Sequence, residues 1–339
     1  GLVFRGRKLL PFAIDDVVER EFFKVDIHFN DNNLHLSATR SQPIISMVMR
    51  DAFDYKLVQE AVKNGATLLE GCKLQLMEKV ARKFKITTSK GIFYSQTIVA
   101  ADGALSPTAK LTGWEKDTRM LIPALEYEVN VSTSEFEKHS KEVRFDFGVV
   151  PFGYGWVFPK KGHLSIGVAS FKKGSFSLKE CYSAYLKKIG LTPVSEEMHG
   201  FQIPIRHRQD GVAKNGALLV GDAAGFPDPV TAEGISNALL SGKLAAEAII
   251  ENLNNTEAIC KAYQHKIDTV LIPELNTGQW LSNLFYTQNA LRNAALKKYG
   301  TKVCEAMTDV FMGERSYPAN PKAVILKKMK DIIIPNIKL

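Results

Sequence analysis

The stretch from residue 216 to residue 249 constrains the fold more than any other part of the sequence. It begins Gly-Ala-Leu-Leu-Val-Gly-Asp-Ala-Ala-Gly and passes through a Pro-containing loop into an Ala- and Leu-rich run. The apolar segment Ala217 to Val220 is too short for a helix and is flanked by Gly216 and Gly221. This pattern favours a strand buried on both faces of a parallel sheet. The stretch therefore predicts a strand, a turn, a loop and a helix, in that order.

Asp222 follows the predicted strand directly, at the carboxyl end where open α/β sheets bind ligands. An ionised carboxylate at this place can accept hydrogen bonds from a ribose hydroxyl. Gly234 and Ile235 open the following helix, whose free N–H groups and dipole favour an electron-rich or anionic group. These residues predict a nucleotide site. The alternative is a Gly-Asp turn that ends a buried strand, followed by a packing helix.

Composition limits the class of protein. The chain has 339 residues, of which 45% are hydrophobic and 24% charged, so one large or a few smaller domains with a sizeable core are expected. Its four cysteines lack C-x-x-C spacing, which indicates neither a zinc site nor a disulfide framework, and a reducing compartment is expected. A net charge of +8 favours anionic partners, but no nucleic-acid-binding signature is present. We expect no nucleic-acid partner and interpret the charge as a solvated surface.

Two further segments are candidates for a nucleotide site. Arg50 opens a predicted helix, and its planar guanidinium can bind a phosphate group through two hydrogen bonds. The alternative is a surface pair with Asp54, one helical turn along the chain. A predicted strand also ends on Asp102 and Gly103, where glycine permits a tight turn close to a ligand. Asp-Gly is, however, a common turn in proteins of any function.

An aromatic strand predicts an apolar binding surface. Tyr154, Trp156 and Phe158 alternate before Pro159, so a strand would place the three rings on one face. Such a wall suits a long alkenyl chain, which offers few hydrogen bonds and is held by contact area. The alternative is an aromatic cross-strand cluster inside a sheet core.

These segments together resemble the geranylgeranyl reductase branch of the flavoprotein hydroxylase superfamily. The resemblance implies that Asp222, after Gly221, holds the ribityl or ribose part of FAD, and that Pro229, Gly234 and Ile235 lie against the isoalloxazine ring. It also implies that Arg50 approaches the FAD phosphates, that Asp102 and Gly103 contact FAD, and that the aromatic segment recognises isoprenoid. The family's isoprenoid segment corresponds to Tyr154, Trp156, Phe158 and Pro159. Ala232 departs from the family, which usually has glycine there.

The resemblance implies a mixed α/β and α+β fold. We expect a Rossmann-like FAD-binding domain over residues 44–117 and 206–255, an antiparallel-sheet substrate domain over 1–43 and 118–205, and a helical region over 256–339. No strand is followed by G-x-G-x-x-G, the segment that seats the FAD pyrophosphate. We therefore expect a fragment that lacks the first βαβ unit. The alternative is a protein that has lost its cofactor.

The implied activity is the reduction of isoprenoid C=C bonds in lipid biosynthesis, with electrons passed from NADH or NADPH to FAD. No His, Asp or Cys is a convincing proton donor, so the catalytic residues stay unknown. Two alternatives remain: a flavin-dependent monooxygenase, because a fold does not fix its chemistry, and a non-catalytic flavoprotein that binds an apolar ligand or a membrane. No apolar run approaches the roughly 18 residues that span a bilayer. We expect a cytoplasmic protein, with peripheral contact to the inner face of the membrane as an open alternative.

The remaining pattern predicts a hairpin within residues 22–49, a short strand at Leu68 and Leu69, and one strand over 91–99. It also predicts helices over 177–190, 256–271, 274–297 and 301–312. The last segment, Pro321 to Leu339, has apolar residues near helical spacing among lysines. This pattern predicts a basic amphipathic helix. It would lie either on an anionic membrane or against its own domain.

Overall fold

A computed structural model describes residues 1–172 and 174–318. By their contacts, the residues form two compact units. Unit 1 comprises Gly1–Met49, Ile122–Gln202 and the chain from Asn276 on, and unit 2 comprises Arg50–Leu121 and Ile203–Leu275. The chain after residue 256, predicted as a separate helical region, is thus divided between the two units. The predicted functional assignment of the domains stays a prediction.

The described residues include strands in both units. In chain order they are β1 (Leu2–Val3), β2 (Val18–Phe22), β3 (Lys24–Phe29), β4 (Leu34–Thr39), β5 (Ile45–Val48), β6 (Leu74–Val80), β7 (Lys83–Thr88), β8 (Gly91–Ser95), β9 (Ile98–Ala100), β10 (Met120–Asn130), β11 (Val143–Phe147), β12 (Gly153–Pro159), β13 (Leu164–Ser170), β14 (Ser195–Arg206), β15 (Ala213–Lys214) and β16 (Ala217–Leu219).

The helices are α1 (Phe4–Arg7), α2 (Arg50–Lys63), α3 (Pro107–Leu111), α4 (Thr133–His139), α5 (Leu178–Ile189), α6 (Gly221–Ala224), α7 (Ile235–Glu251), α8 (Thr256–Val270), α9 (Ile272–Thr287) and α10 (Asn289–Met312), with one 3₁₀ turn at Asp15–Val17. Among the described residues, none of these helices is both long and apolar enough to cross a membrane.

The main sheet of unit 1 has seven strands in the order β14-β10-β13-β12-β11-β3-β4. Its pairs β10·β13, β12·β13, β11·β12 and β3·β4 are antiparallel, as predicted. The pair β11·β3 is parallel, with Val143 opposite Val25. The long stretch of chain between these two strands leaves room for the crossover that a parallel pair needs. One face of the sheet packs against α5, and its apolar core includes Val157, Ile166 and Tyr185.

Unit 2 contains β16, the buried strand that the sequence predicts from Ala217 to Val220. β16 is fully buried and pairs in parallel with β9, and β15 lies on its other side. The core around β16 includes Leu244 of α7 and Tyr263 of α8, whose hydroxyl donates to the Leu219 carbonyl at 2.7 Å. The strands β6, β7 and β8 form a separate three-stranded antiparallel sheet.

Three predictions differ from the structure, and a fourth falls on residues that the structure does not describe. Leu68 and Leu69 are not in a strand, and the predicted strand over 91–99 is divided into β8 and β9. The predicted helix end between residues 297 and 301 is wrong, because α10 continues through Gly300. A side chain at Gly300 would place its Cβ 3.0 Å from Leu36 Cδ1, so this glycine serves close packing on β4. The predicted helix over 321–339 lies outside the described residues.

Candidate functional site

The turn between β16 and α6 places Asp222 at the end of the buried strand. Gly221 has φ +52, in the left-handed region that favours glycine, and its ideal Cβ would lie 3.1 Å from Ala238 Cβ. The Gly221 N–H donates to Ser241 Oγ at 3.0 Å. The turn is therefore held against α7 by its backbone, and no other residue type fits at this position without strain.

The Asp222 carboxylate is half-buried beside the first turn of α7. The ideal Cβ position of Gly234 lies 3.4 Å from Asp222 Oδ1. Burial raises the pKa of Asp222, while the charges of Arg50 and Arg119 act in the opposite direction. Within the described part of the chain, no donor hydrogen-bonds to the carboxylate oxygens. The site thus combines an unused charged acceptor with the positive end of a 17-residue helix.

The loop before α7 is held by its own side chains. Asp228 is buried, and its Oδ1 accepts hydrogen bonds from the N–H groups of Val230 and Thr231 at 2.9 and 2.8 Å. Glu233 Oε1 accepts from the Ser236 N–H at 2.9 Å and so caps the start of α7. Pro229 is buried in this loop. Ala232 has φ +59, which gives a physical reason for the glycine that the resemblance leads one to expect there.

The Asp102 turn is built by the aspartate itself. Its carboxylate accepts the Ser106 hydroxyl at 2.6 Å and the Thr108 N–H at 2.8 Å, and thereby shapes the start of α3. Gly103 has φ +79 with no atom near its ideal Cβ, so backbone conformation, and not crowding, requires glycine. Asp102 is exposed. Its contact with a cofactor stays a prediction.

Arg50 makes the helical pair that the sequence left open as an alternative. Its Nε and Nη2 donate to Asp54 Oδ1 and Oδ2 at 3.0 and 2.8 Å, and both side chains are exposed. Its charge also lowers the pKa of Asp222, although less than burial raises it. Arg50 therefore acts on the Asp222 site, and its predicted contact with a phosphate remains a prediction.

Arg119 joins the two turns and was missed by the sequence analysis. Its side chain is 2% exposed and donates to the carbonyl oxygens of Ala104 and Asp222, each at 2.6 Å. It also binds Asp117 at 2.8 and 2.9 Å, and this hydrogen bonding lowers the pKa of Asp117 to about 2. No local signal marks Arg119 in the sequence, because an Asp-x-Arg pair in a loop has no distinctive pattern.

In unit 1, the predicted aromatic residues form part of a larger aromatic face on the main sheet. Tyr154 and Trp156 are buried, with ring centroids 5.8 Å apart, and half-buried Phe158 follows at 6.1 Å from Trp156. The face continues through Phe29, Phe145, Phe147 and Phe171. Phe285 and Tyr286 of α9 pack against these rings. Pro159 alternates to the opposite face of β12, so the sheet does not present it beside these rings.

Gly167 makes room for the Trp156 indole. The two residues are opposite each other in β13 and β12. An ideal Cβ on Gly167 would lie 2.1 Å from Trp156 Cζ2 and 2.6 Å from the Leu125 carbonyl oxygen. The ring therefore lies flat over the glycine, and any larger residue would displace it.

The chain is similar to several curated proteins. It is 30% identical over 292 residues to an uncharacterized protein of Methanosarcina barkeri, covering 84% of this chain and 73% of that protein. It is 28% identical over 342 residues to the chloroplastic geranylgeranyl diphosphate reductase of Arabidopsis thaliana, covering 90% and 70%. It is also 28% identical over 264 residues to the digeranylgeranylglycerophospholipid reductase of Methanocaldococcus jannaschii, covering 73% and 66%. No family model matches the sequence.

Solved structures share the fold. A geranylgeranyl bacteriochlorophyll reductase-like protein from Thermoplasma acidophilum superposes with a TM-score of 0.73 at 20% identity, over 95% of this chain and 85% of that one. HpxO from Klebsiella pneumoniae, solved with FAD and uric acid, gives a TM-score of 0.67 at 11% identity, over 92% and 86%. Taken with the sequence relatives and the Gly-Asp turn at the end of β16, these matches show that the chain belongs to the geranylgeranyl reductase family of FAD-dependent oxidoreductases.

Proposed function

We propose that this enzyme reduces C=C bonds of a prenyl chain, with NADH or NADPH as the electron donor and FAD as the cofactor. The observation that carries the proposal is the aromatic face of the main sheet, where seven rings on or next to its strands lie beside Phe285 and Tyr286 of α9. These rings would offer contact area to an apolar ligand. Sequence relatives named geranylgeranyl diphosphate reductase and digeranylgeranylglycerophospholipid reductase support the same substrate class.

The residues of unit 2 suit FAD. The Asp222 carboxylate is a charged acceptor that no described residue uses, and it would take a ribityl or ribose hydroxyl. Gly234 and Ile235 present the N-terminus of α7, and Pro229 belongs to the loop before it. Arg50 would serve a phosphate group, and Asp102 with Gly103 would approach the cofactor from the turn after β9. When bound, FAD supplies hydride transfer between the nicotinamide and the substrate.

The aromatic face would bind and orient the prenyl chain. A hydrocarbon chain gains about 25 cal/mol for each Å² of apolar surface removed from water. Tyr154, Trp156 and Phe158 supply a continuous wall for this contact, because strand alternation puts all three on one face. A chain held against these rings is also kept away from water, which protects the reaction from competing solvent.

Product analysis under anaerobic conditions tests the proposed function. The full-length protein is supplied with FAD, NADPH or NADH, and geranylgeranyl substrates, and mass spectrometry counts the hydrogens gained. We expect two added hydrogens per reduced double bond and no product when FAD is withheld. Oxygen-dependent hydroxylation in air would instead indicate the monooxygenase. A protein that binds prenyl ligands without retaining flavin would indicate the non-catalytic alternative.

A further inference from the structure

The aromatic face of unit 1 is apolar along one row of residues and polar at one corner. Strand register sets the rows. The row of Tyr154 is apolar throughout and contains Ala124, Ala169, Tyr154, Phe147 and Phe29. The next two rows carry carboxylates on β10, one as Trp156, Gly167 and Glu126 and the other as Phe158, Ser165 and Glu128. We define the polar corner as Glu126, Glu128, Ser165 and the indole N–H of Trp156.

The indole N–H of Trp156 lacks a protein partner. Trp156 is 8% exposed, and its Nε1 has no acceptor among the described residues. The ring atom Cε2 is bonded to Nε1, and it would lie 2.5 Å from an ideal Cβ on Gly167. The N–H edge of the indole therefore lies over β13, in the row that contains Gly167 and Glu126. A buried donor without an acceptor is costly, because it has lost its hydrogen bond to water. The position is therefore suited to an acceptor supplied by a ligand.

Glu126 supplies the complementary acceptor. It is half-buried, and the hydroxyl of fully buried Ser165 donates to its Oε1. A carboxylate offers roughly four lone-pair sites, so one hydrogen bond from Ser165 leaves capacity for another donor. The corner thus presents one unused donor and one carboxylate that can still accept.

The charges around the corner do not favour an anionic ligand. Glu128 pairs with His163 at 2.7 Å. Burial raises the pKa of Glu128, but the hydrogen bond with His163 and the charges of His163, Lys160 and His199 together lower it below its ordinary value. The Lys160 ammonium is buried and donates to the Val48 carbonyl oxygen at 2.7 Å. The cationic or titratable groups that act on Glu128 are thus Lys160, His163 and His199, and the lysine ammonium already donates to a backbone carbonyl. Like charges brought together in a partly buried site are strongly disfavoured.

We propose that the polar corner holds an uncharged hydroxyl group at the polar end of the substrate. The hydroxyl oxygen accepts a hydrogen bond from Trp156 Nε1–H, and the hydroxyl group donates a hydrogen bond to the Glu126 carboxylate. The prenyl tail then lies along the Tyr154 row toward Phe171 and Tyr286, whose stacked rings are 4.0 Å apart. This assignment rests on the proposed function and specifies its substrate class as prenyl alcohols or glycerol ethers with a free hydroxyl, in preference to prenyl diphosphates.

Calorimetric binding to the full-length protein with FAD bound tests the assignment. The ligands are geranylgeraniol, its methyl ether and geranylgeranyl diphosphate, presented in the same detergent. We expect the alcohol to bind about tenfold more tightly than the ether, which cannot donate, and more tightly than the diphosphate. Glu126→Gln should reduce the ratio of the diphosphate Kd to the alcohol Kd by about tenfold or more. Trp156→Phe, which keeps a ring but removes the donor, should weaken alcohol binding by about five- to tenfold.

Glu137→Gln is the matched control, because Glu137 is exposed on α4 of the same unit, and it should bind all three ligands as the unaltered protein does. Reduction of prenyl chains, measured in parallel, separates the two proposals. If the protein reduces prenyl chains but prefers the diphosphate, or if Glu126→Gln leaves the preference unchanged, the hydroxyl site is wrong and the proposed function stands. If none of the ligands binds and none is reduced, both proposals are wrong.

Discussion

At the scale of single residues, Asp222 and Asp102 show that identical side chains at similar strand ends do different work. Both carboxylate oxygens of Asp102 accept hydrogen bonds, one from the Ser106 hydroxyl and one from the Thr108 N–H. Asp222 has no such donors, and burial raises its pKa. A partly buried carboxylate that has lost hydration and has no protein donor would be stabilised most by a hydrogen bond from a cofactor hydroxyl. We therefore propose that Asp222 makes the main polar contact to the ribityl or ribose group.

Replacement of Asp222 tests this assignment. Asp222→Ala removes a charged acceptor, which is worth about 1.5–3 kcal/mol, so we expect FAD affinity to fall by roughly ten- to a hundredfold. Flavin absorbance of the full-length protein, titrated with FAD, gives the affinity. Asp268→Ala serves as the control, since Asp268 is exposed on α8 in the same unit. Equal flavin affinity in a folded Asp222→Ala protein would remove Asp222 from the cofactor site.

At the scale of elements, the β12 and β13 pair owes its aromatic face to one glycine. Gly167→Ala would place a methyl group within 2.1 Å of Trp156 Cζ2, and the nearby Leu125 carbonyl is backbone that yields little. We expect a loss of about 1–3 kcal/mol in unfolding free energy and a shifted tryptophan emission. Gly162→Ala, in the turn between the same strands, meets no atom within 4 Å and should change neither quantity. Urea titration followed by fluorescence compares the two variants.

The two faces of β12 should also respond differently to truncation. Trp156→Ala should lower kcat/KM for a long prenyl substrate, because apolar contact worth about 1–3 kcal/mol is lost, and it should affect a shorter prenyl chain less. Flavin reduction by NADPH or NADH should persist. Val157→Ala, on the α5 face of the same strand, should lower stability by about 1–3 kcal/mol without changing chain-length preference.

Melting temperature and kcat/KM for two chain lengths decide the role of Trp156. If Trp156→Ala reduces stability and every activity together, with no dependence on chain length, then the ring is structural core and not part of the prenyl site.

At the scale of the whole molecule, the buried titratable groups predict how stability depends on pH. Hydrogen bonds from Arg119 lower the pKa of Asp117 to about 2, and burial lowers the pKa of His28 below its ordinary 6.5. In both cases the unfolded chain takes up the proton first as the pH falls. The contribution of His28 is therefore complete above pH 6.5 and lost below it, whereas that of Asp117 is lost between its ordinary pKa of 3.8 and about 2.

Urea midpoints measured at about pH 7, 5 and 3 check this order, because the first two values lie on either side of the ordinary pKa of His28 and the third lies within the Asp117 transition. We expect a first loss of stability between pH 7 and 5 and a second loss in stronger acid. Asp117→Asn should lower the urea midpoint at pH 7. It should also reduce the fall of the midpoint between pH 5 and 3, the acid limb of the curve, because residue 117 no longer titrates. An acid limb as steep as that of the unaltered protein would show that Asp117 does not govern it.

Local pattern was enough to predict much of the fold and of the two candidate sites. The four apolar residues between glycines became β16, the helix from Ile235 became α7, and period-two aromatics came to one face of β12. These features depend on neighbours a few positions apart, and strand and helix geometry fixes where such neighbours point. Asp222 at the end of a buried strand belongs to the same class.

Only the tertiary structure decided the contacts between distant parts of the chain. Arg119 bridges the turns at Ala104 and Asp222, Gly300 continues a helix because Leu36 lies against it, and β11 pairs in parallel with β3. Trp156 likewise owes its place to Gly167 on the next strand. Each of these residues is shaped by a partner that the sequence does not mark, because close packing and hydrogen bonding are satisfied in space and not along the chain.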